Sequence, residues 1–327
     1  SMVVDGSTYH ADEFATDGFI IKLDSEGKAI WAKELNVATF GDVFPFDVTT
    51  DKDDNILVAG SIRGTLDADP SDEELLLVSV LDDIYLSKFD PDGNLIWAEI
   101  IRATNSEERI LDIQMGDDGM LYLGGYIDIT PNHNNDVPFL MKFNPADTSI
   151  VWNYAAATKG RIDGINELVV DGDHVYMVGS FEGESIFGTE ATNEMKLDAG
   201  AGKDMFVIKM TTDREVQWAI NIGTDLENDD VEGRSISVDS KGDLFISGDY
   251  DGLTDFDPGP GVAELDGFIN SFLLKLSSEG AFQWVVDQEG VRGKKVLVNA
   301  SDQVFGLFES SGPNGEGRID IGKFSSA

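Results

Sequence analysis

The chain has 327 residues, with 62 acidic side chains against 23 basic ones, a formal net charge of −39 and no cysteine. That charge disfavours nucleic acid and anionic lipid surfaces as partners, and the missing thiols exclude disulfides, thiolate zinc sites and cysteine nucleophiles. A hydrophobic content of 41% and an aromatic content of 9% mark a globular chain able to bury a core, and no apolar run approaches the roughly 20 residues of a membrane span.

In chain order the sequence reads as one phrase repeated. The first unit opens with VVDGSTY and runs through GFIIKLDSEGKAIW to Trp31; the second holds LVAGSI and IYLSKFDPDGNLIW, ending at Trp97. The third holds YLGGYI and FLMKFNPADTSIVW, ending at Trp152, and the fourth MVGSF and FVIKMTTDREVQW, ending at Trp218. The fifth reads GRSISVD, DLFISGDY, SFLLKLS and AFQWVVD, with Trp284, and the last holds VFGLFE and RIDIGKF. A period of roughly 60 residues without helical spacing inside it predicts a repeated sheet unit.

Each unit is expected to contain four strands. Short Asp- and Gly-rich joints such as DKDDN, DPDGN and DSKGD suit hairpins, because these residues tolerate positive φ. The second and third strands are separated by longer, variable joints that read as loops. A glycine recurs near the end of the second strand at Gly6, Gly60, Gly125, Gly179, Gly248 and Gly306, and a lysine recurs in the third at Lys22, Lys88, Lys142, Lys209, Lys275 and Lys323. Strands apolar on both faces, such as ILVAG and FLLKL, need cover on both sides. Radial packing of sheets supplies that cover, so the expected fold is a single all-β, six-bladed propeller over residues 1–327. The first unit lacks a recognisable first strand and the last stops before its fourth, which leaves seven blades open if sequence is missing. The leading Ser-Met-Val-Val-Asp is already strand-like, so a secretion signal is expected to have been removed or never present.

These phrases resemble the bacterial β-propeller repeats known as SBBP repeats, which are related to the quinoprotein-like propellers and common in secreted proteins of Bacteroidetes. The most specific element is DFDPGPG at 255–261, followed by the Phe-x-x-Lys-Leu and Gln-Trp strands; its counterpart at 67–73 is DADPSDE, and the third and fourth units depart further with DITPNHN and SIFGTEA. The resemblance implies an extracellular or cell-surface propeller. It does not extend to a quinone cofactor, since the adjacent cysteines of that pocket are impossible here.

Two kinds of candidate site stand out. Asp67/Asp69 and Asp255/Asp257 place alternate carboxylates in a turn, which suits calcium if further oxygens join them, or a turn whose Asp side chains cap backbone amides. Eight cations, Arg102, Arg109, Lys159, Arg161, Arg234, Arg292, Lys294 and Lys295, fall in the joints from one unit to the next, which in a propeller converge at one mouth of the channel. Such a funnel suits an anionic ligand, or its cations pair with neighbouring carboxylates. The strand lysines read as stems laid along the sheet with snorkelling heads. His10, His133 and His174 are not placed beside a nucleophile. The function expected is a monomeric, non-catalytic binding or scaffold module for a glycan, an anionic small molecule or a protein, with a channel-borne polysaccharide hydrolase or lyase as the alternative from another class. Phe40, Phe44, Phe46 and Tyr250 offer stacking faces or belong to the core.

Overall fold

The computed structural model describes residues 2–4, 7–9, 15–71, 73–102, 108–128, 136–158, 162–189, 193–224, 229–311 and 317–324. Two compact units divide the chain, one of residues 1–131 with 141–153 and one of 132–140 with 154–327. Every regular element among the described residues is a strand.

In the first unit, β1 (Met2–Val4) pairs with β2 (Ser7–Tyr9), β3 (Ala15–Thr16) lies parallel to β5 (Ala29–Thr50), and β4 (Gly18–Leu23) forms a ribbon with the start of β5. The expected second strand through Gly6 falls at a residue outside those described. β5 runs for 22 residues because the last strand of one repeat continues into the first strand of the next without a turn. It then joins β6 (Ile56–Asp67), β7 (Leu76–Phe89) and β8 (Leu95–Ile101) in an antiparallel meander. A third sheet follows the same order through β9 (Glu108–Met115), β10 (Leu121–Asp128), β11 (Asp136–Asn144) and β12 (Ser149–Ala155), of which residues 136–140 and 154–155 are assigned to the second unit.

The second unit contains β13 (Ala157–Thr158), β14 (Ile162–Asp171), β15 (His174–Phe187), β16 (Met195–Thr211) and β17 (Val216–Ile222), then β18 (Val231–Val238), β19 (Leu244–Asp255), β20 (Glu264–Leu276) and β21 (Phe282–Gln288). It ends with β22 (Arg292–Val298), β23 (Val304–Ser311) and β24 (Gly317–Phe324) in a three-stranded sheet. Consecutive meanders packed face to face are propeller blades, and the all-β propeller architecture is as expected. The blade count is not: six or seven blades are corrected to four complete ones among the described residues, β5–β8, β9–β12, β14–β17 and β18–β21. Among the described residues the first repeat gives the β1–β2 hairpin, the short β3 and the β4–β5 ribbon, and the last gives the three-stranded β22–β24 sheet.

Packing explains the repeated residues. Phe272, Leu274 and Leu276 of β20 bury one face against Val178, Val207 and Ile222 of the preceding sheet, while Phe245, Leu273 and Trp284 pack the other face on Val296, Val298 and Val304. Three of the tryptophans reach into the next repeat through Nε1: Trp31 donates to the Pro91 carbonyl, Trp97 to Pro145 and Trp218 to Ser278, each at 3.2 Å. The recurrent glycine sits where a bulge in the first strand turns a carbonyl inward; a Cβ on Gly248 would lie 1.9 Å from the Glu232 oxygen, and one on Gly179 2.0 Å from that of Gly164. The joints expected as loops extend the second and third strands as ribbons, with Asp67 paired to Leu76 and Asp255 to Glu264.

Candidate functional site

The strand lysines bind the turns of the fold. Lys88 meets Asp51 at 2.8 Å, Lys142 meets Asp118 at 2.8 Å, Lys275 meets Asp243 at 3.0 Å, and Lys22 donates to the Pro91 carbonyl at 2.7 Å. Burial of Asp51 pushes its pKa up, but hydrogen bonds from Lys88, Asn55 and the amides of Asp53 and Asn55 outweigh it and hold the carboxyl at about 2. A salt bridge with hydrogen-bonded ends on both partners is a tie between hairpins, as the snorkelling reading expects.

The four Asp residues of the DxDP turns act on backbone amides. Asp255 Oδ1 accepts from Asp257 at 3.0 Å and Ala263 at 2.8 Å, and Asp257 Oδ1 accepts from Gly259 at 2.8 Å. Asp67 Oδ1 accepts from Asp69 at 3.2 Å and Leu75 at 3.0 Å, and Asp69 Oδ1 accepts from Ser71 at 2.9 Å. Each turn closes a two-stranded ribbon, and between its aspartates an apolar residue drops into the core: Phe256, fully buried 4.8 Å from the Phe272 ring centroid, or Ala68, also fully buried. Among the described residues no group of three His, Cys, Asp or Glu side chains is placed to hold a metal ion.

Six of the eight joint cations lie among the described residues; Lys159 and Arg161 lie outside them. Arg102 pairs with buried Asp83 at 2.8 Å and donates to the Val78 carbonyl at 3.0 Å. In the second unit Arg234 bridges Glu232 and Asp249 at 2.5 and 2.6 Å, and Arg292 approaches the same Asp249 at 3.9 Å. Lys294 pairs with Glu309 at 2.7 Å, and Lys295 with Glu167 at 2.5 Å. Burial raises the Glu167 carboxyl above its ordinary range, and the Lys295 ammonium opposes that rise. Five cations are thus spent on carboxylates of the fold, while Asp249 brings Arg234 and Arg292 together.

Arg109 is different. It stands directly across from Tyr126 in the β9–β10 pair, and its guanidinium carbon lies 5.7 Å from the Phe46 ring centroid and 5.9 Å from that of Tyr126. Among the described residues it has no carboxylate partner at ion-pair distance. Phe46 reaches it from β5 because Asp47 Oδ2 accepts the Ile113 amide at 2.8 Å, which locks β5 to β9 in register. Phe44, two residues earlier on the same strand face, stacks with Phe46 at 6.3 Å and 24°. The two Phe rings are 42% and 39% exposed, so the cluster presents aromatic faces beside a guanidinium that carries five N–H donors. Sequence reasoning named Arg109, Phe44 and Phe46 separately; Tyr126 was missed, since only strand register places it opposite Arg109.

A cavity of about 680 Å³ adjoins this cluster through Phe46, with β4 along one side and Val48 and Ile56 on another. Elsewhere, His174 lies beside Tyr176 with ring centroids 6.3 Å apart; His10 and His133 fall outside the described residues.

No family model matches the chain. It is similar, at 21% identity over 270 residues, to the uncharacterised WD repeat-containing protein L264 of Acanthamoeba polyphaga mimivirus; the match takes in 70% of this chain and 19% of that protein's length. Among solved structures, a protein of unknown function from Dyadobacter fermentans DSM 18053 superposes with a TM-score of 0.51 at 11% identity, over 86% of this chain and 79% of that one. The Dos1 propeller aligns with a TM-score of 0.43 at 9% identity, over 89% of this chain and 56% of that chain. These likenesses bear on fold alone.

Proposed function

We propose that the chain is a non-catalytic binding module of a secreted or cell-surface protein, and that its Arg109 cluster takes an acidic glycan. The observation that carries this reading is a half-buried guanidinium set against Phe46 and Tyr126 with no carboxylate partner among the described residues. A uronate offers a carboxylate for bidentate donation by Arg and a flat sugar face for the Phe rings. The other five described joint cations serve the fold through their ion pairs.

The test is calorimetric titration with an oligogalacturonate at physiological salt, where a Debye length of about 8 Å damps repulsion by the chain's overall negative charge. Wild type binds; Arg109→Gln weakens binding at least tenfold, Arg234→Gln does not, and a neutral oligosaccharide of the same length is ignored. Equal affinity of wild type and Arg109→Gln would remove the site.

A further inference from the structure

The aromatic row that leads to Arg109 has two unlike ends. Asp42, Phe44 and Phe46 occupy every second position of β5, so their side chains follow one another at about 7 Å along the strand. Phe46 closes one end, with the Arg109 guanidinium carbon 5.7 Å from its ring centroid, and the Phe44 ring lies 6.3 Å from that of Phe46 and within 24° of parallel to it.

At the other end the charge changes sign. In the β5–β6 ladder Asp42 stands opposite Arg63, as Phe44 stands opposite Ser61, and residues directly opposite share a face of the sheet. That face looks outward: Phe44 and Arg63 are exposed, while the alternate residues Val43 and Ile62 are buried. Arg63 Nε pairs with Asp82 at 2.9 Å. Two carboxylates against one guanidinium give this end a net negative charge, whereas the Phe46 end carries the Arg109 cation.

The order along the strand is therefore cation, ring, ring, anion. A sugar laid on Phe46 with its carboxylate on Arg109 puts the neighbouring sugar on Phe44, beside Asp42. Hydroxyl groups suit that position, since they donate to a carboxylate. A second carboxylate there meets like charge, and such a contact discriminates between ligands by repulsion.

Resting on the acidic-glycan reading of Arg109, we propose that the site selects a glycan in which an acidic sugar alternates with a neutral one over a chain acidic at every sugar. Arg109 takes the uronate carboxylate, Phe46 and Phe44 take the faces of the uronate and its neutral neighbour, and Asp42 sets the preference by excluding a carboxylate from the second place.

The test is calorimetric titration of the full chain with two ligands of equal length, a hyaluronan tetrasaccharide, in which glucuronate alternates with N-acetylglucosamine, and tetragalacturonate. Wild type is expected to bind the hyaluronan fragment at least tenfold more tightly. Asp42→Asn should shrink that gap to about threefold or less, chiefly by tightening tetragalacturonate, and added salt should narrow it in wild type, because a like-charge contact is screened. An unchanged melting profile verifies that the variant is folded. Tetragalacturonate bound as tightly as the hyaluronan fragment overturns the selectivity while the Arg109 site stands. A preference undiminished in Asp42→Asn overturns it as well, since the chain's overall charge would then be its cause. Failure of both ligands to bind, or binding of both that ignores Arg109→Gln, removes the Arg109 reading and this inference together.

Discussion

Gly248→Ala tests the account of the recurrent glycine. The added Cβ would lie 1.9 Å from the Glu232 carbonyl oxygen and 2.8 Å from Cζ of Phe272, itself fully buried. Neither neighbour yields cheaply. The carbonyl is main chain at the bulge between Gly233 and Ser235, and the Glu232 side chain is held by both Lys203 and Arg234. Overpacking of this kind costs about 3 kcal/mol, offset by up to about 1 kcal/mol because alanine stiffens the unfolded chain. The net loss is about 2 kcal/mol, or roughly 4–8 °C in melting temperature for a unit of this size. The control is Gly119→Ala, at φ +75 with nothing within 4 Å of the new Cβ; its cost is conformational only, about 1 kcal/mol. Calorimetry on both variants decides the matter: a Gly248→Ala protein that melts at or above the Gly119→Ala protein refutes the steric explanation.

Three further outcomes follow from the same geometry. Because the Asp51 carboxyl is held at about 2 against an ordinary 3.8, its contribution of roughly 2 kcal/mol is complete above pH 4 and lost as pH falls toward 2. Urea midpoints of wild type and Asp51→Asn should therefore differ at pH 6 and converge at pH 2, and a constant gap would contradict the assigned ion pair. Trp218→Phe removes the 3.2 Å bond to the Ser278 carbonyl and should cost about 1 kcal/mol beyond its packing loss; Ser278→Ala, which keeps that carbonyl, should be neutral by the same denaturation assay. Asp255→Ala deletes two amide acceptances and should cost about 2 kcal/mol, while Asp255→Asn retains the oxygen and stays near wild type. Both results should be indifferent to calcium or chelator, and a calcium-dependent rise in the wild-type melting temperature would overturn the capping role.

The parts legible in the sequence are those written by local chemistry. Alternating apolar residues around each lysine, and Asp-x-x-Gly turns such as Asp90–Gly93 and Asp239–Gly242, specify hairpins because residues two apart share a strand face and glycine takes the positive φ, +81 at both of these turns. Within those hairpins the strand register sets the recurrent lysine opposite the tryptophan, at Lys22–Trp31, Lys88–Trp97, Lys209–Trp218 and Lys275–Trp284. Counting phrases overstated the blades, since a phrase supplies a hairpin wherever it occurs but a blade only where four strands find one another.

What spatial neighbours decide was not written locally. Lys294 and Lys295 are adjacent, yet they serve Glu309 and Glu167, on different strands. Arg234 and Arg292 share Asp249, while Arg109 meets rings from β5 and β10 in place of an acid. Period and turn composition alone determined the hairpins and their repetition, because those depend on forces between residues close along the chain. Only the packed sheets determined which carboxylate or ring each cation meets, because that depends on what lies opposite in space across dozens of residues.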